Sequence, residues 1–318
     1  MQKLDCRMAS FPDPHHLAAL GRALQSRGYA FVSPTPATHR IVIDRRTTGD
    51  PGLRDIFGWN RPFAEQALPP DIREPMHAGG LVEAVGGQWR SRVRFSSIGS
   101  ALFAHSAYPT DSEDAVFFGP DTYRFVRFLL CKLKNRRAPA GLLRILDLGC
   151  GSGAGGIVAA QSFSGPVELT LSDVNPRALA FSAANADIAG QAARTVESDL
   201  FDALTGAFNL IVINPPYLCD DARRLYRHGG HDFGTELPVK MIRAAIARLA
   251  PGGLLLAYTG APVVAGRDCF WEAIAPHIPA TMPFEYEEVD PDVFGEELAT
   301  PAYAEVDRIA AVTLVAEG

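Results

Sequence analysis

The residues best suited to do chemistry stand in one tetrapeptide, Asn214-Pro215-Pro216-Tyr217. A short apolar run, Leu210-Ile211-Val212-Ile213, precedes it and reads as a buried strand. In an open α/β sheet, ligands bind at the carboxyl ends of the strands. Two successive prolines stiffen the backbone there and remove two donors. The carbonyls of Asn214 and Pro215 are then left to accept from a ligand. The Asn214 side chain adds a further carbonyl acceptor, and Tyr217 a flat aromatic face. Such a set suits a planar amide or an exocyclic amine, whose two N–H hydrogens meet two acceptors while its plane stacks on a ring. Taken alone, the tetrapeptide equally fits a Pro-rich loop after a strand, because N-P and P-P pairs mark turns generally.

The upstream chain carries a second set. Ile145-Leu146-Asp147-Leu148-Gly149-Cys150-Gly151-Ser152-Gly153 reads as a strand running into a glycine-rich turn that opens a helix. Such a turn lets a ligand approach the backbone, and the helix start offers unpaired N–H groups. A second strand, Val167 to Leu171, ends in Ser172-Asp173, where an acidic side chain can accept both hydroxyls of a ribose. In Glu197-Ser198-Asp199-Leu200-Phe201, Asp199 suits an adenine amino group and Leu200 the face of its ring. Gly151 to Gly156 also fits G-x-G-x-x-G, which is weak evidence for a dinucleotide-binding dehydrogenase. Cys150 reads as a small packing residue. His228, His231 and Asp232 cluster in the loop after Tyr217 and admit two readings, a metal or proton site and a lid; the lid is the weightier.

These residues need a scaffold. Beyond Ala140, strands are expected at 143–148, 167–172, 209–213, 253–258, 284–289 and 309–316, and helices at 154–163, 176–189 and 236–249. That alternation means α/β architecture with a doubly wound, Rossmann-like parallel sheet. The last two strands lack a crossover helix between them and are expected to pair antiparallel at an edge. The front of the chain differs. A helix is expected over Pro14 to Arg27, with shorter pieces at 51–57 and 69–78, the former capped by Asp50 with Pro51 at its first position. A hairpin follows, 81–85 and 89–95 around Gly86-Gly87. Period two would put Arg90, Arg92 and Arg94 on one strand face, either to grip phosphate or acidic protein or to protect a sheet edge. This smaller N-terminal α+β module resembles a winged helix. Residues 108–121 form a linker, and Asp121-Thr122 cap a helix from Tyr123 to Leu133. The expected division is 1–110 for a recognition module and 111–318 for the sheet domain.

Composition narrows the class. The chain has 318 residues, 47% hydrophobic and 21% charged, ordinary for a soluble globular protein. No apolar run approaches the roughly 20 residues needed to span a bilayer. Met1 to Ser10 does not read as a secretory signal. Five scattered cysteines (Cys6, Cys131, Cys150, Cys219, Cys269) form no CxxC pair, which fits free thiols in a cytoplasmic protein and suggests no zinc site. The net charge of −6 divides unevenly: residues 1–140 hold 19 Lys/Arg and 13 Asp/Glu, and residues 141–318 hold 11 and 23. An anionic macromolecule would meet the front half first, although such an excess is also common on a solvated surface.

The ordered set Asp147, Gly149, Gly151, Gly153, Asp173, Asp199 and Asn-Pro-Pro-Tyr resembles the class I S-adenosylmethionine-dependent methyltransferases. The tetrapeptide resembles those acting on exocyclic adenine or cytosine amines and on glutamine amides. Phe117-Phe118-Gly119-Pro120-Asp121-Thr122-Tyr123-Arg124-Phe125 is similar to the Pro-x-Asp-Thr segment of HemK-like glutamine methyltransferases. The release-factor enzymes commonly carry Arg where Gly119 stands, a departure that leaves a release-factor substrate open. Residues 222–236 and the front module more closely resemble a less characterised HemK-like branch. The catalytic resemblance covers about residues 115–260. It implies S-adenosyl-L-methionine as cofactor, held by Asp147, Gly149, Gly151, Gly153, Asp173, Asp199, Leu200 and Asn214, with Asn214, Pro215 and Tyr217 as the catalytic set and no metal. The implied acceptor lies in a protein or a nucleic acid. The alternatives are a small-molecule methyltransferase roofed by the front module and a catalytically silent binding module. A monomer meets these expectations, and no membrane partner is called for.

Overall fold

The computed structural model describes residues 12–45, 50–137 and 141–318. Met1 to Ser10 and Cys6 therefore lie outside the described residues. Among the described residues the front region contains four α-helices. α1 (Pro14–Gln25) starts where the Asp13 carboxylate accepts from His15 N at 2.9 Å. α2 (Pro36–Arg45) was not expected from the sequence, although Pro36 at its start and the Thr35 hydroxyl accepting from Thr38 N are start signals. α3 (Leu53–Phe57) begins after Gly52 rather than at Pro51. Its Asp55 carboxylate accepts from Gly52 N at 3.2 Å, which supersedes the expected Asp50 cap. α4 (Pro70–Ala78) follows.

Two hairpins replace the one expected. β1 (Val82–Val85) pairs with β2 (Gln88–Ser91) across Gly86-Gly87, both at positive φ as a tight hairpin turn requires. The ladder stops at Ser91, whose hydroxyl donates to Val93 O at 2.6 Å. The chain then restarts as β3 (Val93–Ile98), paired with β4 (Ala101–Ser106). The break corrects the arginine stripe. Arg90 donates to Glu83, Arg92 is exposed, and Arg94 is buried with Nε donating to Ser106 O.

The larger part opens with α5 (Pro120–Leu133), which starts at Pro120, three residues before the expected Tyr123. Then come β5 (Leu143–Leu148), α6 (Ala154–Gln161), β6 (Val167–Asp173), α7 (Pro176–Ile188), β7 (Ala193–Glu197) and β8 (Phe208–Ile213). They are followed by α8 (Glu236–Ile246), β9 (Leu249–Val264), the two-residue β10 (Arg267–Asp268), α9 (Cys269–Ile274), β11 (Phe284–Asp290) and β12 (Arg308–Glu317). The sheet order is β11-β12-β9-β8-β5-β6-β7, with β10 folded back on β9. Strands β5 to β9 run parallel, and β11 and β12 add an antiparallel edge. This is a doubly wound α/β sheet with an N-terminal α+β region.

The order positions the site. From β5 the chain steps outward through β6 to β7, then returns to place β8 on the other side of β5. Ligands in such sheets bind where the strand order reverses. The register pairs Leu148 with Ile213, so the glycine turn and Asn214 leave the sheet side by side.

The front region is fastened to this sheet. Leu17, Leu20 and Leu24 of α1 share one core with Ala178, Phe181, Ala184 and Ile188 of α7. A Cβ on Gly21 would strike Ile188, so the two helices meet as closely as a glycine permits. Buried Asn185 of α7 accepts from Ala104 N (2.7 Å) and donates to Ala104 O (2.9 Å) and Ser152 O (2.8 Å). One side chain thus joins β4 to the glycine turn.

Candidate active site

The turn after β5 is tied to its neighbours by backbone bonds. Gly149 N and Cys150 N both donate to Ser172 O at the end of β6. Asp147 is buried, and its carboxylate accepts from Gly156 N at 2.7 Å, drawing the first turn of α6 onto β5. A Cβ on Gly156 would stand 2.8 Å from that of Asp147, so this approach requires glycine. Burial pushes the Asp147 carboxyl up from 3.8 to about 7, against the Gly156 bond. Asp173 accepts from Gly151 N and Asn175 N, each at 2.9 Å, and burial raises its pKa as well. Each carboxylate oxygen keeps a further lone pair for a ligand. Asp199 is exposed just past β7, beside Leu200 at φ 49.

These groups surround a cavity of about 390 Å³. Asp147, Gly149, Gly151, Asp173, Asp199, Leu200 and Asn214 all line it. Gly153 stands behind the lining as the left-handed residue that starts α6. Asn214 is half-buried, and among the described residues nothing bonds to its side-chain amide. Pro215 is buried behind it, and Pro216 lines the cavity instead.

Tyr217 departs from expectation. It is 5% exposed and lies outside the lining. Its hydroxyl donates to buried Asp121 of α5, which also accepts from Tyr258 of β9 at 3.1 Å and Arg124 at 3.4 Å. A Cβ on Gly260 would collide with the Tyr217 ring. The expected open stacking face is thus turned into the core, because a buried carboxylate needs donors and Tyr217 is one of them. Burial raises the Asp121 carboxyl, and burial together with Asp121 raises the Tyr217 phenol well above its usual value. The bond joins the Pro-x-Asp-Thr segment to the Asn-Pro-Pro-Tyr turn.

The rings that do line the cavity are Phe117, Phe125 and Tyr226. Phe117 and Tyr226 belong to stretches whose resemblance is visible in the sequence, but their own roles are not. The only signal was an aromatic residue in a loop next to the Asn214 strand. His228 Nδ1 accepts from Asp220 N at 3.3 Å, and His231 N donates to Glu236. Among the described residues, no three His, Cys, Asp or Glu side chains gather as metal ligands do.

A glycine turn and an Asn-Pro-Pro-Tyr end on adjacent parallel strands, at the reversal of strand order, form the arrangement that the resemblance to class I methyltransferases implies. Residues 126–260 match the model of the methyltransferase small domain. The release factor glutamine methyltransferase of Deinococcus radiodurans is 31% identical over 194 residues, covering 56% of this chain and 63% of that protein. The ribosomal RNA small subunit methyltransferase C of Enterobacter sp. (strain 638) is 36% identical over 112 residues, 35% of this chain and 30% of that protein. The chain thus spans less than two thirds of either relative. Among solved structures, Trm5b from Pyrococcus abyssi matches with a TM-score of 0.48 at 14% identity, covering 74% of this chain and 62% of that one.

Proposed function

We propose that the chain is an S-adenosylmethionine-dependent N-methyltransferase acting on a planar nitrogen, either a protein glutamine amide or the exocyclic amine of a nucleic-acid base. The observation that carries this reading is Asn214, a side-chain amide without a partner among the described residues, in the same cavity as Asp173 and Asp199. The residues present suit the cofactor: Asp173 for the ribose hydroxyls, Asp199 and Leu200 for the adenine, and the Gly149, Gly151 and Gly153 turn for close backbone approach. When bound, the cofactor supplies an electrophilic methyl group.

The chain's own part is placement, which is the larger share of what an in-line displacement needs. The Asn214 side chain accepts an N–H hydrogen of the acceptor and aims its lone pair, while Pro215, buried behind it, stiffens the turn. Asp147 keeps the turn in shape. Tyr217, through Asp121, holds the Pro215-Pro216 corner against α5. The names of the two curated relatives bracket the two acceptor classes. Residues 111–318 carry the transfer, and residues 1–110 recognise the substrate. Among the described residues no helix is long and apolar enough to cross a membrane, which is compatible with a cytoplasmic site of action.

Calorimetry with S-adenosylhomocysteine and a cell extract incubated with methyl-labelled cofactor test this together. Binding, with label in protein or nucleic acid, is the expected result. Label confined to small metabolites favours the small-molecule alternative, and absence of cofactor binding contradicts the proposal.

A further inference from the structure

Besides its carboxylates, the cavity has an aromatic wall. The Phe117 and Tyr226 rings stack on each other, centroids 5.5 Å apart and planes 5° from parallel, and both line the cavity. Each is held from elsewhere. The Tyr226 hydroxyl donates to Thr110 O at 3.1 Å. The Phe117 ring tip lies 2.5 Å from where a Cβ on residue 119 would stand, so Gly119 is what makes room for it. The loop bearing Tyr226 is pinned by Asp220, which pairs with Arg224 and Arg227, and by Leu225 N donating to Glu113 O at 2.9 Å.

A second cavity, of about 140 Å³, shares the wall residue Ala115 with the first. Arg92, Arg177, Ser106, Thr110 and Ser112 line it. Glu83 lines it too, but is paired with Arg90. Arg177 pairs with Asp114 through one terminal nitrogen, while its Nε is buried without an acceptor among the described residues. Arg92 is exposed, donates to Gly80 O, and has no carboxylate partner among the described residues.

We infer that the methyl acceptor is a base of a single-stranded or unpaired nucleic acid, with its ring against the Phe117–Tyr226 wall and an adjoining phosphate in the Arg92–Arg177 slot. This rests on the methyltransferase reading and narrows it. A glutamine amide has little π surface to extend a stack of two rings and no charge for the slot. A nucleotide has both, and every base has a face that stacks. A base inside a duplex cannot reach a cavity of this kind, so the acceptor is unstacked when it enters. In the transfer the base nitrogen bonds to the methyl carbon as the S–C bond breaks with its electron pair left on sulfur. The surplus N–H proton leaves to water.

The test is fluorescence anisotropy with random-sequence single-stranded RNA and DNA pools of about twelve nucleotides, added to protein saturated with S-adenosylhomocysteine. The wild type is expected to bind, more weakly as salt rises. Tyr226→Leu and Phe117→Leu are each expected to weaken binding about ten- to a hundredfold, while an unchanged thermal unfolding midpoint shows the fold intact. Arg92→Ala should lower the slope of log K against log salt by about one. Pools that bind the variants as they bind the wild type would overturn the inference. So would pools that fail to bind at all, with or without labelling of a glutamine-bearing peptide in the same assay. Wild-type protein that does not bind S-adenosylhomocysteine sinks the methyltransferase reading and this inference with it, whereas cofactor binding with indifference to the pools sinks only the inference.

Discussion

The ends of β5 and β8 lie side by side and use their polar groups in opposite ways. At β5, Asp147 is committed to Gly156 N, and across the turn Asp173 holds Gly151 N and Asn175 N. At β8, the Asn214 side chain has no partner among the described residues. Committed groups shape a site, and an uncommitted polar group in a cavity meets a ligand. The difference separates a strand end that builds the pocket from one that acts in it.

The largest expected effect falls on the uncommitted end. Asn214→Ala should lower kcat by about a hundred- to a thousandfold, the range seen when one positioned polar group is removed from a reacting centre. Its S-adenosylhomocysteine affinity by calorimetry should stay near wild type. Parallel losses in both would mean that Asn214 shapes the pocket as well, and the contrast with β5 would fail.

At the committed end, Gly156→Ala forces a Cβ against Asp147 and Leu171. A loss of about 1–3 kcal/mol in urea unfolding is expected, as for an overpacked core, together with weaker cofactor binding. Unchanged stability would show that α6 is free to move off β5.

Tyr217→Phe leaves the ring in place but takes a donor from the buried Asp121 carboxylate. A cost of about 1–3 kcal/mol is expected, with a smaller change in turnover than Asn214→Ala causes. A turnover loss as large as that of Asn214→Ala, at full stability, would return Tyr217 to direct contact with the acceptor.

Asp147→Asn gives the smallest effect and depends on pH. The folded carboxyl is raised from 3.8 to about 7 by burial. Between those values the native state holds a proton that the unfolded chain has released, so wild-type stability falls as pH rises through that window. The Asn variant keeps an acceptor for Gly156 N and escapes this loss. At pH 8 it should be more stable than wild type, with the gap closing toward pH 4. A gap that widens on acidification would contradict the sign.

How much of this was legible in the sequence follows from the range of the interactions. The β5 and β8 ends were readable because apolar runs, glycines and prolines act locally, and all six strands expected beyond Ala140 formed within a few residues of their predicted bounds, β9 extending furthest. The stop at Ser91 was hidden, since the 89–95 alternation is unbroken and the break comes from one hydroxyl turning to Val93 O. The second hairpin follows that break. The burial of Tyr217 was hidden more deeply, for its partner Asp121 lies 96 residues away. The Phe117–Tyr226 wall joins two loops 109 positions apart, and no periodicity reports such a meeting.

A crystal structure with S-adenosylhomocysteine bound examines the central claim most directly. The adenine is predicted to lie at Asp199 and Leu200, the ribose at Asp173, and the sulfur toward the Asn214 side chain. A sulfur turned away from Asn214, or a ligand seated outside this cavity, would contradict the assignment of β8 as the acting strand end.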